Sequence, residues 1–313
     1  MPWLWITPYI LPDPGVLDPE ARFRSPSVGL IHHISEDIVV KLNFQYLIPH
    51  EPFDQDEAIF RRDSGLRSFI GLRDEARFYN ILNQHPHPHI VRSLHYEPGK
   101  GLFLKRAEKT LVSASTNADK PARFQWVREL LSALSWIESL GYIHGDIAVR
   151  NLLVDRAGRL QLCDFDQVRS LDEPAIEIVK ESEHRALATC IHFILTGIDP
   201  TDHSISAIAN ERRLKSGSVR IEPAAALVHS IIDAGWLGHS ITRTFAQVEA
   251  AVISSLGPSN AMVTFDSQDS GVLEMQTACK LWAMKAKIDT RWQEELKYRM
   301  TWKALGLDAE EGL

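Results

Sequence analysis

The residues that specify the architecture most directly are YIHGDIAVRN at 142–151, together with DFD at 164–166. Before them, apolar residues recur at helical spacing over residues 123–140, which predicts a long buried helix. Between the two stretches, residues 152–154 and 160–162 are apolar runs separated by polar turn residues, which predicts a short hairpin. His, Asp and Asn side chains are therefore expected on two adjacent turns beside an apolar core.

The residue types on these turns suit phosphoryl transfer. One carboxylate can orient an attacking hydroxyl and accept its proton, while an amide and a second carboxylate can hold Mg²⁺ on phosphate oxygens. Asp146, Asn151 and Asp164 supply such a set. A lone His-x-Asp triplet occurs often by chance and would indicate little. The combination is specific because the triplet is followed by the Asn, the hairpin and the Asp-Phe pair.

This combination resembles the protein kinases. HGDIAVRN is similar to their catalytic loop HRDLxxxN, and DFD is similar to their DFG motif. The resemblance covers roughly residues 28–252 and extends in particular to the divergent kinase-like proteins of filamentous fungi. It implies an α+β, bilobal protein-kinase-like fold with a small β-rich N-lobe and a larger α-helical C-lobe. It also implies that Asp146 is the catalytic base and that Asn151 and Asp164 bind Mg²⁺.

The resemblance continues upstream of the loop. IVVK at residues 38–41 is similar to the VAIK strand of kinases, which implies that Lys41 binds the α- and β-phosphates of ATP. Glu75, on the next predicted helix, is the implied ion-pair partner of Lys41, and its neighbour Asp74 is a rival. HPHIV at residues 87–91 resembles the HPNIV entry to the following kinase strand.

Downstream, residues 182–197 resemble the buried kinase helix that begins Ser-Asp and ends Leu-Leu-Thr-Gly. Glu183 replaces the usual Asp and could still accept backbone hydrogen bonds from the catalytic loop. Trp236 and residues 243–248 resemble the last conserved stretch of the helical lobe.

Four departures from the kinase pattern bear on function. SPSVG at residues 25–29 stands where GxGxxG is expected, so Gly29 is the candidate glycine of a weaker or differently built nucleotide clamp. Gly145 replaces the Arg of HRD, which argues against control by a phosphorylated activation loop. Asp166 replaces the Gly of DFG, either as a further metal ligand or as a residue that stiffens the turn. Residues 164–183 are short and lack APE, so the family's platform for a peptide substrate is reduced.

Three functions remain open. The first is an ATP- and Mg²⁺-dependent phosphotransferase acting on a protein hydroxyl, favoured by residues 87–91, the Arg150-Asn151 pair and the region of Trp236. The second is a phosphotransferase acting on a small hydroxyl-bearing molecule, because HGD, DFD and the short following segment also resemble aminoglycoside and choline kinases. The third is a pseudokinase that acts as a binding scaffold, suggested by the depleted glycine loop.

Composition limits the remaining classes. The 313 residues carry a formal net charge of -7 and have a pI of about 6.0, which argues against a nucleic-acid partner. The 3 cysteines lack CxxC spacing, so neither a disulfide framework nor a zinc site is expected. Neither a signal peptide nor an apolar run long enough for a membrane span is recognised. A cytoplasmic protein is expected, with the nucleus as the alternative location.

The chain divides into four predicted segments: an extended N-terminal segment at 1–24, an N-lobe at 25–106, a C-lobe at 107–256 and a helical C-terminal extension at 257–313. Within the N-lobe, residues 43–65 are polar and are expected to form an irregular loop insertion.

Two further patterns have competing interpretations. Aromatic residues of the C-terminal extension recur at helical spacing and are expected to dock on the parent fold rather than bind a partner; they are Trp282, Trp292, Tyr298 and Trp302. Alternating histidines at residues 85–89 could hold a metal, but the prolines between them favour a loop before a strand.

Overall fold

The computed structural model describes residues 22–24, 29–44, 55–239, 242–257 and 271–286, with the backbone alone for 22–24 and 55–63. The described residues form two compact units. The first unit takes its residues from Met1–Gln84, Arg92–Arg106 and Ser267–Leu313, and the second from His85–Val91 and Ala107–Asp266. Most of the predicted segment 1–24 and residues 25–28 lie outside the described residues.

The strands are β1 (Arg22–Arg24), β2 (Gly29–His33), β3 (Ile38–Asn43), β4 (Ser93–Glu97), β5 (Gly101–Lys105), β6 (Lys109–Thr110), β7 (Tyr142–Ile143), β8 (Leu152–Val154), β9 (Leu160–Leu162) and β10 (Arg169–Ser170). The helices are α1 (Gln55–Gln84), α2 (Leu111–Ser115), α3 (Lys120–Ser139), α4 (Ile176–Thr196), α5 (Ala207–Lys215), α6 (His229–Trp236), α7 (Phe245–Leu256) and α8 (Val272–Lys285). Short 3₁₀ helices cover Val149–Asn151 and Pro223–Val228.

The first unit is built on an antiparallel sheet with the strand order β1-β2-β3-β5-β4. The β-branched run of β3 forms its centre, because such side chains pack well on a pleated surface. Helix α1 packs on β3, β4 and β5. Its buried face carries Phe69, Leu72, Ala76, Tyr79 and Leu82, which recur at helical spacing.

The prediction of an irregular loop over residues 43–65 is wrong for its second part, because α1 already begins at Gln55. The early turns of α1 have the sequence QDEAIFRRDSG, which is mostly polar. The apolar periodicity that reveals a helix is therefore weak there, although several of these residues are good helix formers.

Helix α8 covers one face of this sheet. Its buried residues Val272, Cys279 and Ala283 belong to one core cluster with sheet residues, which are Ile38, Val40, Leu42, Leu94 and Phe103. The Trp282 ring meets the Phe103 ring edge-on, with centroids 5.4 Å apart and planes at 72°. Trp282 thus docks on the parent fold as predicted, whereas Trp292, Tyr298 and Trp302 lie outside the described residues.

The second unit is mainly helical, with α3 packed against α4 and α7, and α4 against α6. Helix α3 begins at a side-chain cap, where Asp119 accepts a 2.9 Å hydrogen bond from the Ala122 N–H. Helix α4 is buried along most of its length and ends at Gly197, whose φ of 74° suits glycine. The antiparallel-sheet unit and the mostly helical unit together confirm the expected α+β, bilobal class.

Two helical regions of the second unit have bounds that the sequence comparison did not indicate. Helix α4 begins at Ile176, before the kinase-like stretch at 182–197. The 3₁₀ helix Pro223–Val228 and α6 are separate, because Val228 has non-helical dihedral angles of -118° and 18° between them.

All 3 cysteines are free thiols. Among the residues that the structure describes, no helix combines the length and apolar character that crossing a membrane requires.

Candidate active site

In the first unit, Lys41 and Glu75 form a buried ion pair. Lys41 Nζ lies 2.7 Å from Glu75 Oε2, and the side chains are 2% and 0% exposed. Strand β3 directs Lys41 towards α1, and the sheet and helix together exclude water from the pair. A buried pair of this kind fixes the position of the ammonium group, even where its net contribution to stability is small.

The rival partner Asp74 points elsewhere. Its carboxylate is about half exposed and accepts hydrogen bonds from Arg73 and Arg77 on the same helix. Adjacent helix positions differ by about 100° in direction, so Glu75 and Asp74 cannot both face Lys41. The predicted pairing of Lys41 with Glu75 is therefore the one that the structure forms.

In the second unit, His144 anchors the predicted catalytic loop from below. Its ring is fully buried, with Nε2 3.0 Å from the Cys163 carbonyl oxygen and Nδ1 accepting a 3.2 Å hydrogen bond from the Asp146 N–H. Burial lowers the pKa of His144. The Phe165 ring packs against it with centroids 5.0 Å apart. His144 thus joins the loop to the DFD turn and has a structural role.

Asp146 is held by its two neighbours in the loop. Arg150 donates from one guanidinium nitrogen to both carboxylate oxygens, at 2.6 and 2.7 Å. Asn151 donates its amide to the Asp146 backbone carbonyl at 2.8 Å and to Oδ2 at 3.0 Å. Arg150 is thus the ion-pair partner of Asp146. The Asp146 side chain remains 25% exposed and is therefore accessible from solvent.

The two candidate metal ligands lie on connected turns. The Cys163 N–H donates to the Asn151 carbonyl at 3.1 Å, which ties the loop to the residue before Asp164. Because the Asn151 amide nitrogen is used by Asp146, its oxygen Oδ1 is the atom left for a cation. Mg²⁺ is commonly held by one or two protein oxygens together with substrate phosphates. One amide oxygen and the Asp164 carboxylate fit that requirement.

Gly145 occupies a place where no side chain fits. Its φ is +81°, and a Cβ atom there would overlap the backbone carbonyl group of Gln167. The close approach arises where β7 pairs with β10, which matches Ile143 with Arg169. The presence of Gly145 in place of the HRD Arg therefore has a steric cause that the sequence did not reveal.

Glu183 supports the loop from α4, as the resemblance implied. It is buried, and its Oε1 lies 3.4 Å from the Ile147 nitrogen. Burial raises the pKa of Glu183 to about 7, while hydrogen bonds from the backbone of Gly145, Ile147 and His144 oppose that rise. The longer side chain thus still reaches the loop backbone.

The remaining predicted site residues are Gly29 and Asp166. Gly29 opens β2, and a Cβ atom on it would overlap the Leu42 carbonyl oxygen, so the close strand contact already requires glycine. Residues 25–28 of the proposed clamp lie outside the described residues. Both carboxylate oxygens of Asp166 are shielded from solvent.

The segment after DFD is short. Residues 167–175 contain only β10 and turns, and α4 begins at Ile176. Within the described residues, no group of three or more His, Cys, Asp or Glu side chains is arranged to hold a metal, the histidines at 85–89 included.

Comparison with known proteins shows what this chain is similar to. Residues 72–188 match the family model of the protein tyrosine and serine/threonine kinases. A probable serine/threonine-protein kinase of Dictyostelium discoideum is 31% identical over 114 residues, which cover 34% of this chain and 17% of that protein. A Rho-associated protein kinase of Caenorhabditis briggsae is 31% identical over 77 residues, 25% of this chain and 6% of that protein.

Rho-associated protein kinase 1 of Homo sapiens is 43% identical over 58 residues, 18% of this chain and 4% of that protein. The chain thus spans less than a fifth of the length of each of these relatives. The matched family region, residues 72–188, includes Glu75, the HGD loop and the DFD turn.

Proposed function

We propose that the chain is a protein-kinase-like, ATP- and Mg²⁺-dependent phosphotransferase that transfers the γ-phosphoryl group of ATP to a protein hydroxyl. The observation that carries the proposal is the arrangement around Asp146. Arg150 and Asn151 fix its carboxylate, and a backbone hydrogen bond ties the same loop to the residue before Asp164. Such fixed positions are what in-line phosphoryl transfer requires of a protein.

Each residue has a distinct role in this proposal. Asp146 orients the acceptor hydroxyl and takes its proton as the new bond from oxygen to the γ-phosphorus forms and the bond to the β-bridging oxygen breaks. Lys41, held by Glu75, binds the α- and β-phosphates. Asn151 Oδ1 and the Asp164 carboxylate hold Mg²⁺, which neutralises the charge on the phosphates.

A second candidate is transfer to a small hydroxyl-bearing molecule. It is favoured by the segment 167–175, which is too short to provide the usual platform for a peptide between the DFD turn and α4. A panel that contains both protein acceptors and aminated small alcohols, with radiolabelled ATP as donor, distinguishes the two acceptor classes.

Activity is tested by replacing the proposed base. We expect Asp146→Asn to lower kcat by about 10²–10⁴-fold, because it loses the group that accepts the hydroxyl proton. Glu177→Gln is the matched control, since Glu177 is an exposed acid of the same unit, paired only with Lys180 among the described residues. Equal turnover by the wild type and Asp146→Asn would contradict the proposed activity.

Nucleotide binding is tested separately. A ligand that binds only the folded state raises the melting temperature, so ATP with Mg²⁺ should stabilise the wild type. We expect the Mg²⁺-dependent part of this shift to disappear in Asp164→Asn and to persist in Glu177→Gln. A wild type that binds Mg²⁺ and ATP but transfers no phosphoryl group to any acceptor would favour the pseudokinase alternative.

A further inference from the structure

A surface groove of the second unit plays no part in the proposed reaction. It has a volume of about 480 Å³ and is lined by residues of the first turns of α3, the last turn of α4 and the 3₁₀ helix Pro223–Val228. A helix of the length of α3 spans about 30 Å, and the HGD loop follows its far end. The groove is therefore separated from Asp146 by the length of α3. Its volume lies within the range of about 300–1,000 Å³ that small-molecule sites occupy.

The walls of the groove are mainly apolar. The larger apolar side chains that line it are Phe124 of α3, Leu195 of α4, and Pro223 and Leu227 of the 3₁₀ helix. Because a 3₁₀ helix has three residues per turn, Leu227 and its neighbour Val228 point in different directions. Val228 is fully buried, whereas Leu227 is 52% exposed. The groove thus offers apolar surface that the fold leaves open to solvent.

Two cations border this apolar surface. Lys120 Nζ lies 5.2 Å from the centre of the Phe124 ring. Arg123 donates to three backbone carbonyl oxygens, which are those of Ser115 and Ile194 at 2.6 Å each and of Ala118 at 3.3 Å. These bonds fix the guanidinium group beside the ends of α2 and α4. They use three of its five N–H groups and leave two for a ligand.

The charge of these cations is not balanced by a nearby acid. Within the described part of the chain, neither Lys120 nor Arg123 forms an ion pair with a carboxylate. The adjacent acid, Asp119, caps α3 by accepting a hydrogen bond from the Ala122 N–H at 2.9 Å. The whole protein has a formal net charge of -7, so this groove is a local exception to an acidic chain. An apolar molecule with an anionic head complements both the walls and the cations.

We propose that this groove binds an amphipathic carboxylate, a small molecule with an alkyl chain and one carboxylate group. The alkyl chain lies against Phe124, Leu195 and Leu227, where it removes apolar surface from water. The carboxylate accepts hydrogen bonds from Lys120 Nζ and from the N–H groups of Arg123 that the backbone does not use. The site contains no residue of the proposed catalytic set, so this inference does not rest on the proposed function.

The charged part of the site is tested with decanoate and with its uncharged equivalent, decanol. Isothermal titration calorimetry of the intact chain gives the dissociation constant of each ligand. We expect Lys120→Met to raise the constant for decanoate about tenfold, because a charge-assisted hydrogen bond is lost, and to leave that for decanol unchanged. Lys109→Met is the matched control, since Lys109 is an exposed lysine of the same unit outside the groove. It should leave both constants unchanged.

The apolar part is tested by Leu227→Gln, which replaces a half-exposed side chain and should not prevent folding. We expect the dissociation constants of both ligands to rise about threefold or more, because apolar contact is lost. Ile208→Gln is the matched control, since Ile208 is 64% exposed on α5 and does not line the groove. Both constants should keep their wild-type values in this control.

The position of the ligand is measured by NMR in the intact chain. Decanoate should shift the backbone amide signals of residues 120–124 and 224–227 more than those of other segments. A wild type that binds no decanoate, or that binds it no more tightly than Lys120→Met does, would overturn the proposal. An unchanged affinity in Leu227→Gln, or amide shifts centred on another part of the chain, would exclude the groove as the binding site.

Discussion

Gly145 illustrates how a single residue adapts the loop to its neighbour. The positive φ and the Gln167 carbonyl oxygen together leave room only for hydrogen at this Cα. The Arg that kinases carry here would require the β7–β10 pairing to open. The absence of this Arg is thus linked to the tight return of the chain after DFD.

Restoring the family residue should damage the protein. We expect Gly145→Arg to lower the free energy of unfolding by about 3 kcal/mol or more. The Arg would have to adopt the left-handed conformation that Gly145 has, and its Cβ atom would clash with the backbone of Gln167. Gly158→Ala is the control, since Gly158 has a φ of +78° but an added Cβ atom would meet nothing within 4 Å. It should cost only about 1 kcal/mol. Urea unfolding compares the two, and equal losses would exclude the clash.

The buried pair of Lys41 and Glu75 makes a second prediction at this scale. Lys41→Met removes the cation and leaves a buried carboxyl group, so the free energy of unfolding should fall by about 3 kcal/mol. The double variant Lys41→Met with Glu75→Gln should recover part of this loss, because no charge then remains to be desolvated. Thermal unfolding of both variants without nucleotide measures the difference. A double variant that is less stable than Lys41→Met would contradict it.

At the scale of one element, α8 is part of the core of the first unit. Ala283 is 3% exposed against the sheet, whereas the next residue, Met284, is 79% exposed. We expect Ala283→Arg to destabilise the protein by about 3 kcal/mol or more, because a charged side chain must be buried or must displace the helix. Met284→Arg should change stability by less than about 0.5 kcal/mol. Urea unfolding of this adjacent pair shows whether α8 is docked in solution.

Helix α4 contributes a dependence on pH through Glu183. Its folded pKa of about 7 lies above the ordinary value of 4.5, so the folded state binds this proton more tightly than the unfolded state. The stability that it contributes is complete below about pH 4.5 and is lost as pH rises towards 7 and above. The free energy of unfolding of Glu183→Gln, taken relative to that of the wild type, should therefore rise by about 2 kcal/mol between pH 5 and pH 8. Denaturation at both pH values measures this gain, and a constant difference would contradict it.

For the whole molecule, the position of α8 means that residues far along the chain complete the first unit. A chain shortened to residues 1–257 lacks Val272, Cys279 and Ala283 and exposes the sheet face that they cover. We expect the amides of β3 and β5 to lose protection from hydrogen exchange, while those of β8 and β9 in the second unit keep theirs. Equal protection of β3 in the two chains would show that α8 is dispensable.

Much of the site could be predicted from the sequence because its residues lie on short connected turns. The loop at 142–151, the hairpin and the DFD turn lie close together in the chain, so their order already brings Asp146, Asn151 and Asp164 near one another. Strand β3 was similarly indicated by IVVK at residues 38–41, which resembles a kinase strand. These features depend on local spacing and residue type, which a sequence displays directly.

The order and spacing of residues were therefore enough to indicate the resemblance to protein kinases, the α+β class and the proposed catalytic set. The three-dimensional packing was needed for the choice of Glu75 over Asp74, the steric need for Gly145 and the docking of α8 on the sheet. Each of these depends on the direction in which a side chain leaves its element and on a partner distant in the chain, as with the 34 positions between Lys41 and Glu75. Periodicity indicates which residues face inward, but the packing of elements decides what they meet there.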